Sequence, residues 1–447
     1  MYFLGDSWLH GLTAAFRPVA QPSEKFQLLC NAHRISATVP WLTRALREPE
    51  EPAIKEPFAH NMMPRAASDE RARQNFVAGL KMHMEDNVYP SDRKVGVTRV
   101  LPRFKAEHGR APNSRVEWRH AMEADPFFQS WSSIARSIQE MSWDAVSEIV
   151  SHELPKLLEK SKISNPKGSL HLDPDVEVPR YNAAIDIHCM PGGYHSEITE
   201  DDVFAGAMFD RGAHYYGLAI RGTAALDYVD TRERIGRAAP GYTTMDFLRK
   251  TYPGLKPKRI LDLGCAIGGT TVPYAEEFPD AEVYGVDVAA PQLRYAHARA
   301  EGLGVRAHFR QENAEALSFG DNSFDLVVSH GLFHETSAKA TPRILADSYR
   351  VLREGGVTIH VDTQFARGLD DLDDTYWDWD THYNGEPFWS TLHHTDAREL
   401  LADAGFQRAS IREVWPLPQR DGGTTYEPVT DTGGKIIGST IFSADKR

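Results

Sequence analysis

The sequence predicts a doubly wound α/β domain over residues 241–447, preceded by a large, mainly helical region over residues 1–240. Three observations predict it. From Arg259 onward, short apolar runs alternate with amphipathic segments joined by short links. The first run, Ile260–Leu263, ends in a glycine-rich turn, Gly264-Cys265-Ala266-Ile267-Gly268-Gly269, and the second ends in an acid, Asp287. Strands that alternate with helices in this way build a parallel sheet covered on both faces, and such a sheet binds its ligand beyond the carboxyl ends of the central strands.

In chain order, residues 66–87 and 127–163 read as amphipathic helices. The second carries Phe127, Trp131, Ile134, Ile138, Met141, Val146, Ile149 and Val150 at three-and-four spacing. Proline-rich stretches at 49–64 and 164–179 read as connectors, and Tyr181–Cys189 alternates as a strand would. In the second region, Thr270–Phe278 is expected as a helix, Glu282–Val286 as a strand, Pro291–Glu301 as a helix and Ala307–Gln311 as a strand. Phe324–Ser329 is a near-continuous apolar run, as parallel strands buried on both faces are. Ile344–Leu352 reads as a helix stopped by Gly355-Gly356, with Val357–Val361 as the fifth strand. Residues 363–393 form an insert dense in Asp, Trp and Tyr, expected to be a functional loop. Thr395–Asp403 is a helix ending at Gly405, and Gln407–Val414 and Lys435–Ser443 alternate as an antiparallel pair closing the sheet.

Composition narrows the function. The chain is 41% hydrophobic and 25% charged, with a formal net charge of −13. That acidity argues against a nucleic-acid surface, which needs clustered Lys and Arg. Three cysteines, Cys30, Cys189 and Cys265, make no disulfide framework and fit a reducing compartment. No run approaches the ~20 apolar residues of a membrane span, and the first residues lack the features of a secretory leader. A cytoplasmic location away from membranes is expected.

The ligand expected at the sheet is an adenosine compound. A glycine turn lets the backbone approach it closely, and a carboxylate at the tip of the second strand accepts both ribose hydroxyls. After the third strand, Asn313 and Ala314 are placed to read an adenine edge. These positions resemble the class I S-adenosylmethionine-dependent methyltransferases, a Rossmann-like family. Asp262, Gly264 and Gly268 match its first motif, with Ala266 where a further glycine is usual, and Asp287 matches its ribose-binding acid. Asn322-Ser323-Phe324-Asp325 and Leu352-Arg353-Glu354-Gly355-Gly356 match its later motifs. The resemblance implies S-adenosyl-L-methionine as cofactor, with Cys265, Val288, Gln292, Ser329 and His330 at the same site. It also implies an aromatic residue, Tyr215 or Tyr216, closing over the methionine end. The rival, a nicotinamide or flavin dinucleotide, requires Gly-x-Gly-x-x-Gly, which the turn breaks at Ala266, where the second glycine would let the backbone approach a pyrophosphate.

The methyl acceptor is expected to be a small molecule, with specialised metabolism as one source. His334, His382 and Tyr383 are the candidate catalytic residues, since histidine titrates near neutral pH. Trp377, Trp379 and Asn384 of the insert, with His188 and His195, are candidate substrate contacts; interleaved aromatics and carboxylates suit an apolar or cationic molecule. His188, Cys189 and His195 are considered as metal ligands, but the sequence has no second cluster at ligand spacing, so no metal is expected. The region before residue 241 is expected to supply a lid, substrate contacts or a homodimer interface. A methyltransferase acting on protein, peptide or RNA, or a nucleotide-binding protein without turnover, are the alternatives.

Overall fold

A computed structural model describes residues 60–220, 244–363, 369–418, 424–429 and 439–447, all within one compact unit. The chain is helical from Ser68 to His108: α1 (Ser68–His83), α2 (Tyr89–Val95) and α3 (Leu101–His108) are joined by π-helical turns at Met84–Val88 and Gly96–Val100. A short helix, α4 (Arg115–Glu123), leads into α5 (Pro126–Ser161), a continuous helix of 36 residues. Its core face carries Trp131, Ile138, Trp143, Val146, Ile149 and Val150, as the spacing predicts. Ile134 and Met141, placed on that face by the sequence, are instead exposed.

Tyr181–Cys189 is not a strand. It forms one turn of helix, α6 (Arg180–Ala183), and a 3-10 turn at Ile187–Cys189. The edge strand comes from the stretch read as a connector, where β1 (Ser169–His171) pairs with a later strand. α7 (Phe204–Ile220) then returns across the molecule. The remaining elements are β2 (Arg259–Leu263), α8 (Thr271–Glu277), β3 (Glu282–Asp287), α9 (Ala290–Gly302), β4 (His308–Gln311), β5 (Phe324–His330), α10 (Ala340–Val351) and β6 (Leu352–Thr363). α11 (Asp371–Tyr383), α12 (Trp389–His393), α13 (Ala397–Asp403), β7 (Arg412–Pro418), β8 (Thr424–Pro428) and β9 (Ser439–Asp445) complete the chain.

Among the described residues nine strands form one sheet in the order β1-β4-β3-β2-β5-β6-β9-β7-β8. From β1 to β6 neighbours run parallel; β9, β7 and β8 add an antiparallel edge. Progress outward from β2 through β3 to β4 reverses at β5, which returns to the other side of β2. The crevice at such a reversal is where open sheets of this kind take their ligands. Gly355 and Gly356 do not stop a helix. They lie inside β6, in the bulge between Leu352, which pairs with Phe324, and Val357, which pairs with Leu326.

The insert folds as helix, not loop. Leu372, Tyr376 and Trp379 of α11 are buried with Trp118, Met122, Phe128 and Trp131 in one apolar cluster. Asp370 caps its N-terminus by accepting from Asp373 N at 2.8 Å. Two of the aromatic residues that made the insert resemble a binding loop, Tyr376 and Trp379, are therefore core. On the opposite side, α7 packs on α9 so closely that a Cβ on Gly206 would meet Tyr295, and the Tyr295 hydroxyl donates to Asp210 Oδ2 at 2.8 Å.

One buried acid in the helical layer has a consequence for stability. Asp92 is fully buried, and neither carboxyl oxygen has a hydrogen-bond partner among the described residues. Burial, with Asp125 nearby, pushes its carboxyl up to about 7. The unfolded chain releases this proton near pH 4 while the folded chain keeps it to about pH 7, so stability falls as pH rises through that window. Asp92→Asn should therefore raise the melting temperature at pH 8 by an amount equivalent to roughly 1–4 kcal/mol and leave it little changed at pH 4. Equal melting curves at both pH values would contradict a protonated Asp92.

Candidate active site

A cavity of about 250 Å³ opens at the reversal between β2 and β5. Its floor is the turn after β2. Gly264 and Ala266 both line it, and both sit in the left-handed region, at φ 63° and 44°. Asp287 holds the turn in place: its Oδ2 accepts from Ala266 N and its Oδ1 from Ala289 N, each at 2.9 Å. Burial raises the Asp287 carboxyl above its ordinary range, and backbone N–H groups of Ala289, Ala266 and Val288 oppose that rise. Val288, Gln292, Asn313 and Ala314 complete this end. Gln292 is buried; its Nε2 donates to Ala205 O at 3.3 Å, and its Oε1 has no partner among the described residues. A buried amide oxygen without a donor is costly, and here it faces a cavity where a ligand can supply one.

The other end is built from two histidines and three carboxylates. His334 lies in the 3-10 turn Phe333–Glu335 after β5, and its Nδ1 meets Asp362 Oδ1 of β6 at 2.6 Å. Asp362 is itself fixed, its Oδ2 accepting from Phe333 N at 2.7 Å. The Nε2 of His334 lies 3.3 Å from Glu335 Oε1, and His188 Nε2 lies 2.9 Å from the same oxygen. His188 Nδ1 contacts Glu386, whose carboxylate is fully buried. The tyrosine hydroxyl of Tyr194 donates to Glu335 Oε1 at 3.0 Å. Burial alone would lower the basicity of His188, but Glu386 and Glu335 outweigh it and hold the imidazole up to about 10. For His334, Asp362 and Glu335 likewise overcome burial and raise it well above the ordinary range.

Of the residues the sequence singled out, the cavity gathers Gly264, Ala266, Asp287, Val288, Gln292, Asn313, Ala314, His330, His334 and His188. Others lie elsewhere. Asp262 is fully buried behind the turn, accepting from the Thr270 and Thr271 hydroxyls at 2.6 Å each, so it braces the turn and does not line the cavity. Burial pushes its carboxyl up to about 6. Cys265 packs into the core against Gly285, Gly268 turns against the Phe309 ring, and Ser329 Oγ pairs with His360 Nδ1 at 2.8 Å.

Four candidates of the insert are engaged away from the cavity. Trp379 Nε1 donates to Ser132 Oγ at 2.7 Å, His382 pairs with Asp378 and Arg119, and Tyr383 donates to Glu123. Trp377 stacks edge-on against His393. Helix α11 turns Trp379, His382 and Tyr383 toward α4 and α5, and none of the four lines the cavity. Asn384 is buried beside Cys189, whose Sγ donates to its carbonyl at 3.1 Å, and His195 does not line the cavity. The side chains of Tyr215 and Tyr216 lie outside the described residues.

The sequence reading missed Glu335, Glu386 and Asp362 as site residues. Glu335 adjoins a candidate histidine and Asp362 ends a strand at the sheet's carboxyl edge, so both carried a positional signal. Glu386 carried none, since only the fold brings residue 386 beside residue 188.

Residues 260–356 match the family described as methyltransferase domain. This part of the chain is a class I, S-adenosylmethionine-dependent methyltransferase domain. The demethylmenaquinone methyltransferase of Thermus thermophilus is 39% identical to the chain over 101 residues, 22% of this chain and 44% of that protein. The ubiquinone biosynthesis O-methyltransferase of Ruegeria pomeroyi is 29% identical over 164 residues, 37% of this chain and 61% of that protein. Each match thus spans less than two thirds of the relative's own length. Among solved structures, a possible histamine N-methyltransferase from Thermotoga maritima aligns at 17% identity and a TM-score of 0.35, covering 49% of this chain and 97% of that one. The matched segment of the methyltransferase domain contains the turn, Asp287 and the histidine of the 3-10 turn, but neither His188 nor Glu386. Among the described residues no helix is long and apolar enough to cross a membrane.

Proposed function

We propose that the chain transfers the methyl group of S-adenosyl-L-methionine to a small-molecule acceptor. The observation that carries this reading is that one cavity joins the Asp287 turn to the histidine–carboxylate cluster. A donor laid along the turn has its adenosine near Asp287, Asn313 and Ala314 and its reactive end toward His334. At the donor end Asp287 and Glu312 line the cavity, and among the described residues no Lys or Arg does. Such a lining suits a cationic sulfonium with an ammonium tail and repels a dinucleotide pyrophosphate.

The bound donor supplies an electrophilic methyl carbon: the acceptor's lone pair takes it, the carbon–sulfur bond breaks, and the electron pair stays on sulfur. The protein's part is to hold the acceptor in line and keep water out. His334, fixed by Asp362, is placed to meet the acceptor, and Leu332, Tyr194 and Phe209 wall the space between the two ends. Where the acceptor atom loses a proton, the cluster of carboxylates and imidazoles is its exit. Quinone-pathway relatives are consistent with a small acceptor, as is the acidic charge of the chain.

His334→Ala should lower transfer at least about a hundredfold, the scale for losing a positioned polar group, while the affinity for S-adenosylhomocysteine changes by less than about threefold, equivalent to ~0.7 kcal/mol. The test pairs a donor-binding titration with product detection across candidate acceptors. Normal turnover in this variant would move the acceptor away from the 3-10 turn.

A further inference from the structure

We propose that His188, His334, Glu335 and Glu386 form a binding site for one divalent transition-metal ion at the acceptor end of the cavity. The inference rests on the reading of that end as the acceptor site, and adds what binds there.

Each of the four residues presents one donor atom, and all four atoms lie within 4.8 Å of one another. An ion about 2.1 Å from each of four tetrahedral ligands needs donors about 3.4 Å apart, so rotamer shifts of about an ångström close the set. Two imidazoles with two carboxylates suit a first-row divalent ion; an all-oxygen set would favour magnesium or calcium, and thiolates copper(I) or a cluster. Cys189, adjacent in sequence, is not in the set, because its Sγ turns to the Asn384 carbonyl.

The histidine orientation is the one such sites require. With Nδ1 of His334 donating to Asp362 at 2.6 Å, its Nε2 points toward the cluster, where an ion takes the place of the ring's second proton. A carboxylate behind a ligating imidazole fixes its tautomer and raises its basicity. Oε2 of Glu386 and Oε2 of Glu335 have no hydrogen-bond partner among the described residues although they are buried, while Oε1 of Glu386 contacts His188 Nδ1. Buried carboxylate oxygens left without donors are expensive, and a coordinated cation satisfies them. Charge permits the exchange: an ion of charge +2 takes the place of two imidazole protons among the three carboxylates Glu335, Glu386 and Asp362.

The backbone is constrained to present these ligands. His188 and Cys189 both lie at positive φ, 55° and 59°, a conformation that side chains resist. It is held because His188 O accepts from Trp143 Nε1 at 2.7 Å and Gln139 Nε2 at 2.8 Å, and His188 N donates to Gly385 O at 3.2 Å. A Cβ on Gly385 would lie 2.8 Å from Asp186 O and 2.9 Å from Cys189 N, so the segment bearing Glu386 can press against the one bearing His188 only with glycine there. His188, His334 and Glu335 line the cavity while Glu386 closes the set from behind, which leaves the ion's cavity side for an oxygen or nitrogen of the acceptor.

Cobalt(II) is the probe. Chelator-stripped full-length protein titrated with Co2+ should take up one equivalent, with a visible d–d spectrum and a dissociation constant at or below the micromolar range. Glu386→Gln and His188→Gln should each weaken uptake at least tenfold. Calorimetry with S-adenosylhomocysteine on the same samples reports whether each variant is folded and whether the donor site is intact. Absence of stoichiometric uptake, or uptake unchanged in both variants, overturns the metal site while leaving the donor site standing. Cobalt uptake lost in the variants, with no S-adenosylhomocysteine binding to the wild type, would uphold the metal site and reject the donor assignment.

Discussion

Gly264→Val should abolish measurable binding of S-adenosylmethionine and S-adenosylhomocysteine while the chain still folds. Two physical effects add. Gly264 holds φ at 63°, where a residue with a Cβ pays about 1–2 kcal/mol and a β-branched one more. A Cβ there would also lie 2.7 Å from Leu332 Cδ1, inside the wall of the cavity. Leu332 is flexible at that end and can yield, but it yields into the space the donor needs. The expected loss in affinity is at least about a hundredfold, equivalent to ~2.7 kcal/mol. Gly264→Ala should fall between, carrying the backbone strain with less obstruction. Calorimetric titration checks both, with thermal unfolding as the control. Wild-type affinity in the valine variant would place the donor away from this turn.

Asp287→Ala is the second large effect, and its mechanism is distinct. The carboxylate would accept ribose hydroxyls with its remaining lone pairs while two backbone N–H groups, of Ala266 and Ala289, keep it oriented. Removing it deletes charge-assisted hydrogen bonds to the ligand and also unpins the turn. The first loss is worth roughly 1.5–3 kcal/mol, or about ten- to 150-fold in affinity. Asp287→Asn should recover part of it, since one oxygen remains, though its amide nitrogen cannot accept from a backbone N–H. If alanine left affinity unchanged, the ribose would lie elsewhere. A parallel titration with a nicotinamide dinucleotide should show no uptake, given the three carboxylates in the lining.

Much of the sheet was legible because its signals are local. Ile260–Leu263 and Phe324–Ser329 are apolar runs long enough to be buried strands, and the glycines and acids at their ends mark where the chain turns. The donor half of the cavity follows from the same short stretches: Gly264 and Asn313 lie just past a strand, Asp287 ends one, and Gln292 stands in the first turn of the helix that follows it. Where the reading failed, the deciding contacts were distant in sequence. Trp377, Trp379 and Tyr383 look alike in a loop or in a docked helix, and only the partners Trp131, Ser132 and Glu123 settle which it is. β1 is three residues long and exists because β4 offers it an edge, which no periodicity can announce. The acceptor end depends on Glu386 meeting His188, a juxtaposition set by helix packing rather than spacing.

The two halves of the cavity are inherited by the fold in different ways. One is a run of neighbouring strand ends, fixed as soon as the sheet pairs. The other is assembled from the segment before α7, the turn after β5 and the loop between α11 and α12, so it exists only once the helical layer has docked. Chemistry at the acceptor can therefore be rewritten by altering a helix or its connecting loop, with the machinery that recognises the donor left untouched.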